Sequence, residues 1–305
     1  MNSPRPATVH DLPQIIDLLD RIFRREKGVE DQSVLTDFPL VFDDDNLANC
    51  RVIERDGRIV SHAAVWPRTF RFAGKSISVG IIVLVATDSR YRRQGLAAEL
   101  MRDLQVAMPG LGCQLGLLWT GVPDFYEPLG WGVVQAPGWI VREATSPQDR
   151  RGRLRVVDYE TNRHLDALHR LHRDQPIHSR RTRAESAKLF TLPKCPVLVG
   201  EVDGYPVAYL VEGRATNKRG LVEYAGDPVD VWELICHVTT ARGPQQLLIF
   251  PTHPELAELA RGAGLTIAPL KSSKGFGDEM VLLLDETVAE AGVVEQLFCW
   301  GLDQA

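Results

Sequence analysis

Apolar and polar positions along this chain follow two periods, and the places where one gives way to the other mark its elements. In "RPATVHDLPQIIDLLDRIF" a short extended stretch ends in polar residues. After Asp11, Leu12, Ile15, Ile16, Leu18 and Leu19 fall at helical spacing, which predicts a capped helix. "CRVIERDGRIVSHAAVWP" then alternates on either side of Asp56 and Gly57, a dipeptide that suits a tight turn with positive φ, and so predicts a hairpin. From Val79 to Ala86 the run "VGIIVLVA" is nearly continuous and β-branched, the pattern of a strand covered on both faces. Beyond Gly95, Leu96, Leu100 and Leu104 restore the helical stripe.

The second half repeats this plan. "RVVDYETNRHLDALHRLH" reads as a strand, then Thr161 and Asn162 as candidate caps, then Leu165, Leu168 and Leu171 on one helical face. "VLVGEVDGYPVAYLVEG" reads as a hairpin turning at Asp203 and Gly204. The shared order is strand, helix, hairpin, strand, helix, strand. It predicts a tandem α/β protein with α+β mixed sheets, divided in the polar stretch "TSPQDRRGR" into domains 1–148 and 149–305.

Composition narrows the class. With 305 residues, 44% apolar and 25% charged, each half can bury a core of its own. The N-terminus lacks a cationic segment followed by an apolar run, and no apolar stretch is long enough to span a bilayer, so a cytoplasmic protein without a membrane partner is expected. Five scattered cysteines without a C-x-x-C pair read as reduced, buried fillers. A net charge of -5 gives no global attraction to nucleic acid. The acidic "DFPLVFDDDN" and the basic "DRRGRLR" and "SRRTR" read as solvated surface; the arginines between Arg150 and Arg183 lack an aromatic platform for RNA. His164, His169 and His172 lack ligand spacing, read as part of a solvated helix, and predict no metal.

Chemistry concentrates in "YRRQGLAAELM", between the continuous strand and the second helix of the first half. A helix start presents unpaired N–H groups and about half a positive charge, which makes it an anion site. Gly95 and Ala97 let a phosphate approach the backbone, and Arg92 and Arg93 add charge-assisted donors. The spacing is neither that of a P-loop nor that of a dinucleotide fingerprint.

Arg92-x-x-Gly95-x-Ala97 after an apolar strand resembles the Gln/Arg-x-x-Gly-x-Gly/Ala signature of the GNAT acetyltransferase superfamily. A second segment, "FYEPLGWGVV", resembles the family's Tyr-x-x-x-Gly-aromatic piece through Tyr126, Gly130 and Trp131. The resemblance spans residues 5 to 140 and implies an N-acetyltransferase that moves acetyl directly from acetyl-CoA to a small-molecule or peptide amine. It assigns the pyrophosphate to Arg92, Arg93, Gln94, Gly95, Leu96 and Ala97, and the pantetheine arm to the backbone of Val85, Ala86 and Thr87. Tyr126 becomes the general acid for the departing sulfur. Asp88, Asp124 and Glu30 stand as candidate bases. Ala305 joins them because tandem acetyltransferases of the enhanced intracellular survival type, which share the Arg-Arg-x-Gly-Leu turn, use a C-terminal carboxylate.

Trp66, Phe70 and Asp43 to Asp45 would suit a cationic or aromatic acceptor. In the second half "EYAGDPVDVWELI" replaces the arginines with Pro228 and aspartates, and "HPELAELARGAGL" has Ala260 in the tyrosine's place, so this copy is expected to be degenerate and to carry no acetyl-CoA. The alternative reading is a non-catalytic acyl-CoA sensor or scaffold. A homo-oligomer is compatible with either.

Overall fold

The structure is a computed structural model that describes residues 3–29, 31–72, 74–134, 138–144, 152–214, 217–270, 278–290, 293 and 302. The first half runs β1 (Arg5–Pro6), α1 (Leu12–Phe23), α2 (Val34–Asp37), α3 (Asp44–Leu47), β2 (Cys50–Arg55), β3 (Arg58–Phe72), β4 (Lys75–Thr87), α4 (Leu96–Gly110), β5 (Leu115–Thr120), α5 (Pro123–Tyr126), β6 (Gly132–Val134) and β7 (Trp139–Ala144). The second runs β8 (Arg155–Asp158), α6 (Thr161–Arg173), β9 (Ile177–Ser179), α7 (Arg183–Leu189), β10 (Val197–Val202), β11 (Tyr205–Arg214), β12 (Asn217–Gly226), α8 (Pro228–Arg242), β13 (Gln245–Ile249), α9 (Pro254–Gly262), β14 (Ala268–Pro269), β15 (Asp278–Leu283) and α10 (Glu286–Glu290).

Local rules account for most boundaries. Helix α1 starts after Asp11, whose Oδ2 accepts from the Thr8 amide at 2.8 Å, and buries Ile15, Leu18 and Leu19. Both hairpins turn through left-handed pairs, Asp56 and Gly57 at φ 51° and 74° and Asp203 and Gly204 at 52° and 81°, as the right-handed strand twist requires. The cap of α6 is Glu160, one residue before the expected Thr161.

Two mixed sheets result, in the order β1-β2-β3-β4-β5-β15-β6, with β9 also on β3, and β14-β7-β13-β12-β11-β10-β8. Read in reverse, the second order matches the first position for position. The sheets do not keep to a division at 148. Strand β7 leaves the first half to pair with β13, and β15 returns from the second half to pair with β5 from Asp278↔Thr120 to Leu283↔Leu115. Each half therefore completes the other's sheet at the equivalent place. Further ties include Arg68 to Glu185, the Arg180 amide to the Thr69 carbonyl at 2.7 Å, and Lys188 to Asp43 at 2.7 Å.

Several surface expectations change here. Arg181 is not solvated: it is 5% exposed and grips Glu223 through two bonds of 2.8 and 2.7 Å, with the Tyr209 hydroxyl donating to the same carboxylate. His164 and His172 are fully buried, the first against Glu201 and the second against the Ser179 carbonyl. Trp66 and Phe70 lie in the core, and Asp43 is engaged by Lys188. Among the described residues, no helix is long and apolar enough to cross a membrane.

Candidate active site

Strand β4 ends in an opening. Leu84 has φ 53°, and the register of β3 against β4 shifts between His62 and Ala64, so the strand carries a bulge at this point. A bulge bends and twists its strand. On the other side β4 pairs with β5 in parallel only at Val79↔Leu115, Gly80↔Gly116 and Ile81↔Leu117. Beyond Ile81 the ladder stops, and the backbone of Val85, Ala86 and Thr87 borders a gap whose far side is Leu118 to Thr120.

After Thr87, the last residue of β4, the chain enters the turn. Asp88, 2% exposed, accepts from the Arg90 amide and bonds Arg21 at 2.9 Å and Arg90 at 3.0 Å, which ties α1 to the end of β4. The hydrogen bonds from Arg90 hold its carboxyl far below the usual range. Arg92 donates to the Thr87 carbonyl at 3.2 Å, Arg93 is left-handed at φ 62°, and Gly95 is left-handed at 81°. Two left-handed residues within three positions fold the chain tightly into the helix start, a kind of turn whose N–H groups suit an anion nest. Helix α4 has no side-chain cap, so the amides of Leu96 and Ala97 are not used by the helix itself. A Cβ added to Gly95 would meet nothing within 4 Å. Arg92, Arg93, Gln94 and Gly95 are exposed, and Leu96 is buried.

Tyr126 is 7% exposed and belongs to one apolar cluster with Leu96, Leu100, Leu118 and Met280. Burial pushes its phenol up to about 12, opposed by a hydrogen bond with Thr120 at the end of β5, so it carries its proton at neutral pH. The segment is anchored by Trp131, whose ring lies where a Cβ on Gly116 would stand, 2.6 Å from its Cη2.

The acetyltransferase (GNAT) domain family matches residues 3–134. Residues 3–134 are a GNAT domain. No curated relative matches the chain by sequence. Similar solved structures include a GCN5-related N-acetyltransferase from Kribbella flavida, 15% identical, covering 95% of this chain and 72% of that one with a TM-score of 0.65. Another, from Anabaena variabilis, is 16% identical and covers 92% and 72% with a TM-score of 0.61. N-myristoyltransferase of Saccharomyces cerevisiae, solved with myristoyl-CoA, is 14% identical and covers 92% and 78% with a TM-score of 0.60. These likenesses are of fold.

Within the GNAT domain the base candidates separate. Asp88 is committed to two arginines, and Asp124 is exposed on α5. Glu30 and Ala305 lie outside the described residues. Two buried titratable groups that belong to no motif lie on the strands flanking β4 and β5, His62 on β3 and Glu279 on β15. His62, fully buried, uses Nδ1 on the Leu84 carbonyl at 2.9 Å and leaves Nε2 without a hydrogen-bond partner; burial lowers it to about 4. Glu279, on exchanged strand β15, accepts from the Trp119 indole at 3.1 Å. His62 follows Ser61 and Glu279 follows Asp278, so polarity alone did not single out either residue in the sequence.

The equivalent turn of the second sheet is closed. Helix α8 starts at Pro228 directly after β12, and Asp227 caps it by accepting from the Val229 amide at 2.9 Å. Asp230, 2% exposed, bonds Arg153 at 2.9 and 2.6 Å. The protein's own carboxylates occupy this helix start. Among the described residues, no group of three or more His, Cys, Asp or Glu is arranged to hold a metal ion.

Proposed function

We propose that the protein is an acetyl-CoA-dependent N-acetyltransferase that transfers acetyl directly to a small-molecule or peptide amine. Two observations support this reading: the β4–β5 ladder ends at Ile81, and the start of α4, which follows β4 in the chain, has no side-chain cap. The unpaired edge of β4 suits an amide-bearing arm laid down like another strand, and the nest at Arg93 to Ala97 suits the diphosphate at its end. The residues fit that ligand, because Gly95 leaves open space above its backbone and Arg92 and Arg93 are exposed beside it.

In this reading the 1–148 portion supplies the reaction, and the 149–305 portion is a degenerate copy that carries no acetyl-CoA and completes the first sheet. Val85, Ala86 and Thr87 bind through backbone groups; Arg92, Arg93, Gln94, Gly95, Leu96 and Ala97 hold the phosphates. Tyr126 protonates the sulfur as it leaves; burial keeps its phenol protonated at neutral pH, so the proton is in place when the C–S bond breaks.

The test is free thiol release from acetyl-CoA with a polyamine, an aminoglycoside and a peptide N-terminus as acceptors. Tyr126→Phe is expected to lower turnover by about a hundredfold or more with CoA affinity nearly unchanged. A wild-type protein that binds CoA tightly but releases no thiol with any amine is a sensor instead.

A further inference from the structure

We propose that Glu279, carried into the first sheet on the strand contributed by the C-terminal half, accepts the proton released by the incoming amine. This rests on the acetyltransferase reading above and names a residue of the same site.

The sheet itself places the group. Side chains alternate across a strand. On β15, Met280 joins the cluster around Tyr126, while Val281 joins the cluster on the opposite face, so Glu279 shares the face of Val281. Trp119, its partner across the ladder, packs on that same face and donates its indole N–H to the carboxylate at 3.1 Å. The next residue along β5, Thr120, turns the other way and holds the Tyr126 hydroxyl. Glu279 and Tyr126 thus stand on opposite faces of the end of β5, where pairing with β4 has ceased.

A planar thioester lodged in that gap presents one face toward each group. The amine lone pair forms the C–N bond from the Glu279 side, and Glu279 takes the proton shed by nitrogen. The C–S electron pair goes to sulfur, which takes the proton of Tyr126. Solvent then reprotonates the phenolate and collects the proton from Glu279. Atoms and charge balance without any further reagent.

The competing groups are worse matched. Asp88 is held as a carboxylate far too acidic to carry a proton at neutral pH. His62, lowered to about 4, holds a proton too weakly to draw one from an ammonium. Burial raises Glu279 to about 7, the Trp119 hydrogen bond opposing, which puts it near working pH where a base is most effective. Its ladder partners, Trp119 on β5 and Val134 on β6, are uncharged, and its chain neighbour Asp278 alternates to the other face.

Glu279→Gln and Glu279→Asp test the assignment in the full-length protein. For Glu279→Gln, turnover at pH near 7 is expected to fall by about a hundredfold, and the limb of the kcat/KM profile that rises through pH near 7 is expected to vanish. Glu279→Asp should restore part of both, and calorimetric CoA affinity should be unchanged throughout.

A second readout needs neither substrate nor acceptor. The folded protein binds this proton more tightly than the unfolded chain, so its stabilisation is present at low pH and is lost as pH rises to about 8. Denaturant unfolding of wild type should therefore weaken with rising pH relative to Glu279→Gln. A Glu279→Gln enzyme within about threefold of wild type with the same pH profile overturns the proposal. So does a stability difference that is flat with pH. Silence of the wild type toward every amine removes the acetyltransferase reading and this role with it; activity that survives Glu279→Gln removes this role alone.

Discussion

Gly95→Ala separates what the turn costs the protein from what it gives a ligand. Gly95 sits at φ 81° with nothing within 4 Å of the position a methyl would take, so the free protein meets the new side chain with backbone strain and no clash. An alanine in the left-handed region costs about 1–2 kcal/mol. Gly204, in the hairpin between β10 and β11, has the same φ of 81° and the same open surroundings, which makes Gly204→Ala the matched control. Both variants should lose about the same stability in denaturant unfolding. Only Gly95→Ala should lose CoA affinity in calorimetry, because only there would a diphosphate occupy the space into which the methyl projects. Losing one charge-assisted hydrogen bond costs about 1.5–3 kcal/mol, a roughly ten- to hundredfold rise in Kd. If the two variants bind CoA equally well, the phosphate does not approach the backbone at Gly95 and the nest is misassigned.

Two further outcomes follow from other parts of the fold. Calorimetry should give one equivalent of CoA per chain, since Asp227 and Asp230 already occupy the start of α8; two equivalents would contradict a degenerate second copy. Arg181→Ala should destabilise the protein by about 3–5 kcal/mol in chemical unfolding, because Glu223 would be left fully buried without its cation; a loss below about 1 kcal/mol would mean that the pair is not structurally important.

Local chemistry made much of this protein legible in its residues. The Asp-Gly turns at 56–57 and 203–204, the apolar stripe of α1 and the phosphate-turn signature from Arg92 to Ala97 each depend on neighbours a few positions away, and such rules act through backbone geometry that the residues carry with them. The duplicated order of elements was readable for the same reason. Long-range pairing was not. Nothing in "GDEMVLLLDE" shows that its strand will lie beside β5 rather than in the sheet of its own half, because alternation prescribes a face and not a partner. The same limit hid Arg181 and His172, whose neighbours in sequence are largely charged but whose carboxylate, Glu223, comes from a distant strand, 42 residues beyond Arg181. It also hid Glu279, which only the exchange of β15 brings to the end of β5. Sequence alone therefore determined the capped helices, the hairpins and their duplicated order, and singled out the turn from Arg92 to Ala97. Tertiary structure decided which strands share a sheet, which charges are buried, and which residue from the far half stands across the strand from Tyr126, since those depend on contacts that only the folded chain makes.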